Sequence, residues 1–87
     1  MFDLRIIGIQ KDVFKDAVKS VRLDGTDTEF EILSFHANLA AVLRKGQIVI
    51  DGKKKVSILR GLVSFYDNRC TILVEEDAEK RVSKKKK

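Results

Sequence analysis

Alternation with a period of two runs through almost the whole chain, and it narrows the fold more than any other feature. Phe2, Leu4 and Ile6 alternate with Asp3 and Arg5, Val21 and Leu23 with Ser20 and Arg22, Phe30 and Ile32 with Glu29 and Glu31. Ile48 and Ile50, then Val56 and Ile58, then Cys70, Ile72 and Val74 continue the series. Successive side chains on a β-strand point to opposite faces, so this is the spacing of strands that bury one face. The turns are marked as clearly. Asp51-Gly52 falls between two such runs, and both residues accept positive φ, which makes it a strong hairpin signal. Asp24-Gly25 ends another strand, and Asp67-Asn68 divides Val63-Ser64-Phe65 from the run Cys70 to Val74. Many short strands at this spacing imply an all-β sandwich or barrel.

Two stretches are ambiguous. Ala37 to Arg44 has helix propensity, but it lies between strands and stops at Gly46, so a helical turn and a short strand remain equal readings. Some strands are also apolar on both faces. Ile7 and Ile9 extend the first run, and Leu59, Val63, Phe65 and Leu73 fall opposite the positions counted as core. One layer of so small a domain cannot bury both sets. Either two sheets pack face to face, or a partner covers the surplus.

Catalytic chemistry needs a convergent set of groups, and the sequence supplies none. His36 is the one histidine and Cys70 the one cysteine, so there is no histidine trio or Cys-x-x-Cys to hold a metal, and an internal disulfide is excluded. Cys70 sits in an apolar run, as an inert buried thiol does. The five glycines are isolated, so there is no phosphate-binding loop. Glu29 and Glu31 share a strand face, which reads as a solvated edge before it reads as an acid–base pair. No catalytic residue, metal, cofactor or small-molecule substrate is expected.

The 87 residues fit one domain, and the net charge of +5 raises the question of nucleic acid. Its location answers that question. Residues 80–87 hold six of the 18 Lys and Arg residues, leaving 12 basic against 13 acidic groups in the rest. The expected organisation is a domain over residues 1–77 with a basic, solvated tail over residues 78–87. A small nucleic-acid-binding β-barrel is the competing class. It is disfavoured because Phe2, Phe14, Phe30, Phe35, Phe65 and Tyr66 are not interleaved with basic residues. No secretion signal is read at Met1 to Gln10, and no apolar stretch reaches the length of a membrane span, so no direct membrane insertion is expected.

One stretch is more specific. Phe30-Glu31-Ile32-Leu33-Ser34-Phe35-His36-Ala37-Asn38-Leu39, followed by Leu43-Arg44-Lys45-Gly46-Gln47-Ile48, resembles the epsilon subunit of F-type ATP synthases (delta in mitochondria). That family has an acidic strand, a Pro-Gly-His-Ala-Pro turn, an apolar run and a Lys-x-Gly before the next strand. Val13-Phe14, Asp24-Gly25, Gly61-Leu62-Val63 and Cys70-Thr71-Ile72-Leu73-Val74-Glu75-Glu76 fall in the same order as the family's other features. The resemblance covers residues 2–77. It departs where the family has glycines and this chain has Thr28, Glu31, Phe35 and Arg60, and where the family has prolines and this chain has Ser34 and Asn38. Phe and Glu tolerate positive φ poorly, so a different backbone path is expected around His36.

The resemblance implies a flattened two-sheet β-sandwich without the C-terminal helical hairpin of longer members, from a short member or a piece of a longer chain. It also implies a non-catalytic central-stalk subunit of a proton- or sodium-translocating ATP synthase, which couples the gamma subunit to the membrane c-ring. Such a subunit is peripheral, on the cytoplasmic face of the bacterial inner membrane. By the same resemblance Thr26, Asp27, Thr28 and Glu29 would contact the c-ring, and His36 and Gln47 the gamma subunit. Helix-based inhibition and ATP binding are not expected of this chain.

Overall fold

The computed structural model describes residues 1–77, and the basic stretch over residues 78–87 lies outside them. Eight strands follow in order: β1 (Phe2–Ile7), β2 (Asp12–Val18), β3 (Ser20–Asp24), β4 (Glu29–Leu33), β5 (Leu39–Leu43), β6 (Gly46–Ile50), β7 (Lys54–Tyr66) and β8 (Arg69–Glu76). The ambiguous stretch after His36 is thus strand from Leu39 onward. Its backbone groups pair along β7, from Leu39 opposite Phe65 to Leu43 opposite Gly61, and this pairing outweighs helix propensity.

The strands run β2-β1-β8-β7-β6-β3-β4, with β5 also paired to β7. Strand β7 divides this network into the two layers of a sandwich. Its first part, Lys54 to Ile58, pairs with β6. Its second part, Gly61 to Phe65, pairs with β5 and β8. Between the two lies a β-bulge: Ile58 faces Glu76 and Arg60 faces Glu75, which leaves Leu59 as an extra residue.

That single residue corrects one expectation. With strict alternation, Val63 and Phe65 would fall opposite Val56 and Ile58. All four are instead buried, because the bulge shifts the inward set from even to odd numbers. Leu62 and Leu73 are left outside. The inward residues of both layers, from Phe2, Leu4 and Ile6 to Cys70, Ile72 and Val74, form one core. The rings of Phe2 and Phe65 meet edge to face within it, with centroids 5.5 Å apart. Each fully buried side chain of this size contributes about 1.5–3 kcal/mol.

Three polar side chains tie the turns together across the sequence. The Asp51 carboxylate accepts hydrogen bonds from the backbone N–H groups of Lys19 (2.7 Å) and Ser20 (3.0 Å), which joins the β2–β3 corner to the β6–β7 hairpin. Asp51 and Gly52 both have positive φ, as the hairpin turn requires. The Asp24 carboxylate lies over Gly46 and accepts from the Gln47 N–H at 3.4 Å. A Cβ on Gly46 would collide with that carboxylate. Asn68, in the β7–β8 turn, accepts from the Phe35 N–H (2.7 Å) and donates to the Met1 carbonyl (3.1 Å).

Two outcomes test this account. A Cβ at Gly61 would stand 2.7 Å from the Leu73 carbonyl oxygen and 3.3 Å from the Val74 side chain, so Gly61→Ala must push β7 from β8. The expected loss is about 1–3 kcal/mol in urea unfolding. The Ser20 and Lys19 N–H groups hold the Asp51 pKa below its ordinary 3.8. Its stabilisation is therefore fully present above that value and is lost as pH falls through the lower folded value. The difference in stability between the wild type and Asp51→Asn should be constant near neutral pH and shrink below pH 3.8 in acid titrations of unfolding.

Candidate functional site

Among the described residues no polar or charged side chain is buried. Cys70 is buried, and burial pushes its thiol up to about 12. Among the described residues no three His, Cys, Asp or Glu side chains are grouped to hold a metal. His36 stands alone, its Nδ1 2.7 Å from the Ala37 carbonyl oxygen and its ring edge-on to Phe65 with centroids 6.0 Å apart. One aromatic ring does meet a basic side chain in the fold. The Lys54 ammonium lies 5.3 Å from the centre of the Phe14 ring. Phe14 packs partly against the core and Lys54 is exposed, so the contact lies at the surface and within the chain. The surfaces carry what remains.

Thr26, Asp27, Thr28 and Glu29 are all exposed at the tip of the β3–β4 hairpin. The tip is shaped by Gly25, whose N–H donates to the Thr28 carbonyl at 3.0 Å, and by the bridge from Gly25 to Leu43. Glu31 adds a third exposed carboxylate two residues beyond Glu29, across from Arg22. The four residues assigned to one contact are thus together.

His36 and Gln47 are not. The Gln47 backbone is held by Asp24, at the end of the sandwich that carries the acidic tip. His36 is at the other end, packed on Phe65, which pairs with Leu39. The length of β5 separates them, roughly 13 Å at strand rise.

The path around His36 also corrects an expectation. Phe35 keeps a positive φ of 63° although it replaces a glycine of the family pattern. The His36 N–H donates to the Leu33 carbonyl at 3.1 Å to close the turn, and Asn68 takes the Phe35 N–H. No signal in the sequence links residues 35 and 68, because the contact exists only once both hairpins are folded.

The outer face of the β5-β7-β8-β1 layer carries an apolar row. Val42 is paired with Leu62, Leu62 with Leu73, and Leu73 with Ile7. Val42, Leu62 and Leu73 are 53%, 53% and 47% exposed. Over the first three lies a shallow groove of about 410 Å³, bordered by Ala40, Ser64 and Thr71. The surplus apolar residues in the sequence signalled this row, but the bulge at Leu59 decided its membership.

Residues 1–80 match the family described as the ATP synthase delta/epsilon chain, β-sandwich domain. The ATP synthase epsilon chain of a Nitratiruptor species is 38% identical over 76 residues, covering 83% of this chain and 59% of its own length. That of Protochlamydia amoebophila is 32% identical over 79 residues, covering 86% of this chain and 54% of its own. The chain therefore spans little more than half the length of these relatives. Among solved structures, the central stalk and c-ring of the Tetrahymena thermophila mitochondrial ATP synthase contains a chain that superposes with a TM-score of 0.75. It is 17% identical and is matched over 85% of this chain and 63% of its own length. A chain of the Euglena gracilis mitochondrial ATP synthase gives 0.75 at 19% identity, over 93% and 59%.

Thiol chemistry checks the inertness of the interior: Cys70 should stay unmodified by an aromatic disulfide reagent at a mildly alkaline pH and react at once in denaturant. With its two-layer fold, the match over residues 1–80 and these relatives, the chain belongs to the ATP synthase delta/epsilon family through that family's β-sandwich domain.

Proposed function

We propose that this chain is a rotor part of a proton- or sodium-translocating ATP synthase, fastening a gamma-type stalk subunit to the c-ring. The observation that carries this reading is the separation of two surfaces on one rigid body. An acidic tip closes one end, and an uncovered apolar row lies on an outer face. The tip residues Thr26, Asp27, Thr28 and Glu29 meet the polar loops of the c-ring, where long-range charge steers and orients contact more than it tightens it. The row Val42–Leu62–Leu73 meets the gamma subunit, since directly opposed apolar side chains lose water together when covered. His36 and Gln47, at opposite ends of the sandwich, are the further positions that the family pattern brings to gamma. The chain contributes no catalytic group and binds no cofactor. It sits peripherally, on the cytoplasmic face of a bacterial inner membrane. Among the described residues no helix is long and apolar enough to cross a membrane.

Reconstitution tests the reading. In complexes depleted of this chain, adding it back should restore ATP-driven ion pumping. Glu29→Lys should weaken the tip contact by about 1 kcal/mol or less, a loss of pumping that is greatest at low ionic strength and shrinks as added salt screens the new repulsion. Leu62→Asp should reduce retention on the gamma subunit at least tenfold, because it buries a charge at the contact, and should leave the fold intact because Leu62 lies outside the core. Full pumping by both variants would refute the assignment.

A further inference from the structure

Phe35 is costly where it stands. Its φ of 63° is a region that bulky side chains enter only under constraint, and the residue is 82% exposed, so it gains almost no burial in return. The constraint is visible. The Asn68 side chain accepts the Phe35 N–H at 2.7 Å, its amide nitrogen donates to the Met1 carbonyl at 3.1 Å, and the Asp3 N–H donates to the Asn68 carbonyl at 3.3 Å. The turn is closed behind the residue by the His36 N–H to the Leu33 carbonyl, and the His36 ring is fixed against Phe65. Two hairpins and the chain's first residues thus converge to hold one aromatic side chain out in water. Nearby positions add apolar surface: Met1, Leu33 and Tyr66 are exposed as well.

Nothing in the folded domain requires Phe at this position. Glycine adopts this φ without a steric penalty, and asparagine is enriched there several-fold. A ring fixed in one direction has already lost the freedom that an interface residue otherwise loses on binding, and aromatic anchors of this kind dominate interface energetics. We infer that Phe35 is an anchor that enters an apolar pocket of the gamma-type subunit. The inference rests on the proposed rotor reading and adds to it a residue that the family pattern, with glycine there, does not supply.

Binding of the full chain to the isolated gamma subunit of the same complex tests it, read by calorimetry alongside the melting temperature of each variant. Phe35→Gly and Phe35→Asn should melt no lower than the wild type and should bind at least tenfold more weakly. Phe35→Tyr, which keeps ring and backbone, should bind within about threefold of the wild type. If wild type and both variants bind gamma equally, the anchor is refuted and the rotor reading stands. If the wild type does not bind gamma while the folded domain is intact, the rotor reading itself fails. A melting temperature lowered by many degrees would make Phe35 a structural residue and overturn the inference. So would Phe35-dependent sedimentation with vesicles of acidic phospholipid alongside Phe35-independent gamma binding, which would make the ring a lipid contact.

Discussion

The fold depends on one strand belonging to two layers. Strand β7 has thirteen residues, and it pairs first with β6 and then with β5 and β8. A strand that changes layers must keep its apolar side chains turned inward on both sides of the corner. Strict alternation gives it no means of doing so. The extra residue at Leu59 supplies one, because a one-residue shift exchanges the two faces of everything that follows. Gly61 completes the corner, since the Leu73 carbonyl approaches too closely for any side chain. The same shift leaves Leu62 outside, opposite Val42 and Leu73. The inward turn of Val63 and Phe65 and the outward turn of Leu62 therefore have one cause, and removing the bulge would turn Leu62 inward and Val63 and Phe65 outward.

Turns without proline need another source of rigidity, and this chain has no proline. Asp24, Asp51 and Asn68 provide it, each accepting backbone N–H groups more than twenty residues away in sequence. Such bonds satisfy donors that the strand ladder leaves free at its ends, and they fix the corners of the sandwich to each other rather than each turn to itself. For a part proposed to carry torque this distinction matters. A locally stiff turn can still swing as a unit, whereas a corner bonded to its neighbour cannot.

The sequence made the strand pattern, the hairpins at Asp51-Gly52 and Asp67-Asn68, and the inert Cys70 readable, because each depends on neighbours in the chain. Thr26 to Glu29 came from the resemblance alone, and their place at an exposed hairpin tip is seen only in the fold. What was not readable depends on residues far apart. The inward turn of Val63 and Phe65 follows from pairing with β8, where Glu75 and Glu76 set the bulge. The strand at Leu39 to Leu43 follows from its partner β7 rather than from its own propensity. The positive φ of Phe35 contradicts what a phenylalanine alone predicts, and it is held by a side chain 33 residues away.

Under the proposed reading, the separation of surfaces also explains why neither needs to be strong. A carboxylate tip in water contributes little to affinity, and three half-exposed aliphatic side chains form a small interface by themselves. Both belong to one rigid body. Once the apolar row is held by the stalk, the tip meets the ring as an intramolecular event, at an effective concentration fixed by geometry instead of by bulk supply. Weak contacts then add in effect, on condition that the angle between the two surfaces does not relax. That angle is set by β7 at its bulge and kept by the Asp24, Asp51 and Asn68 bonds. The features that make the domain stable are therefore the ones that would let two modest surfaces hold a rotor together.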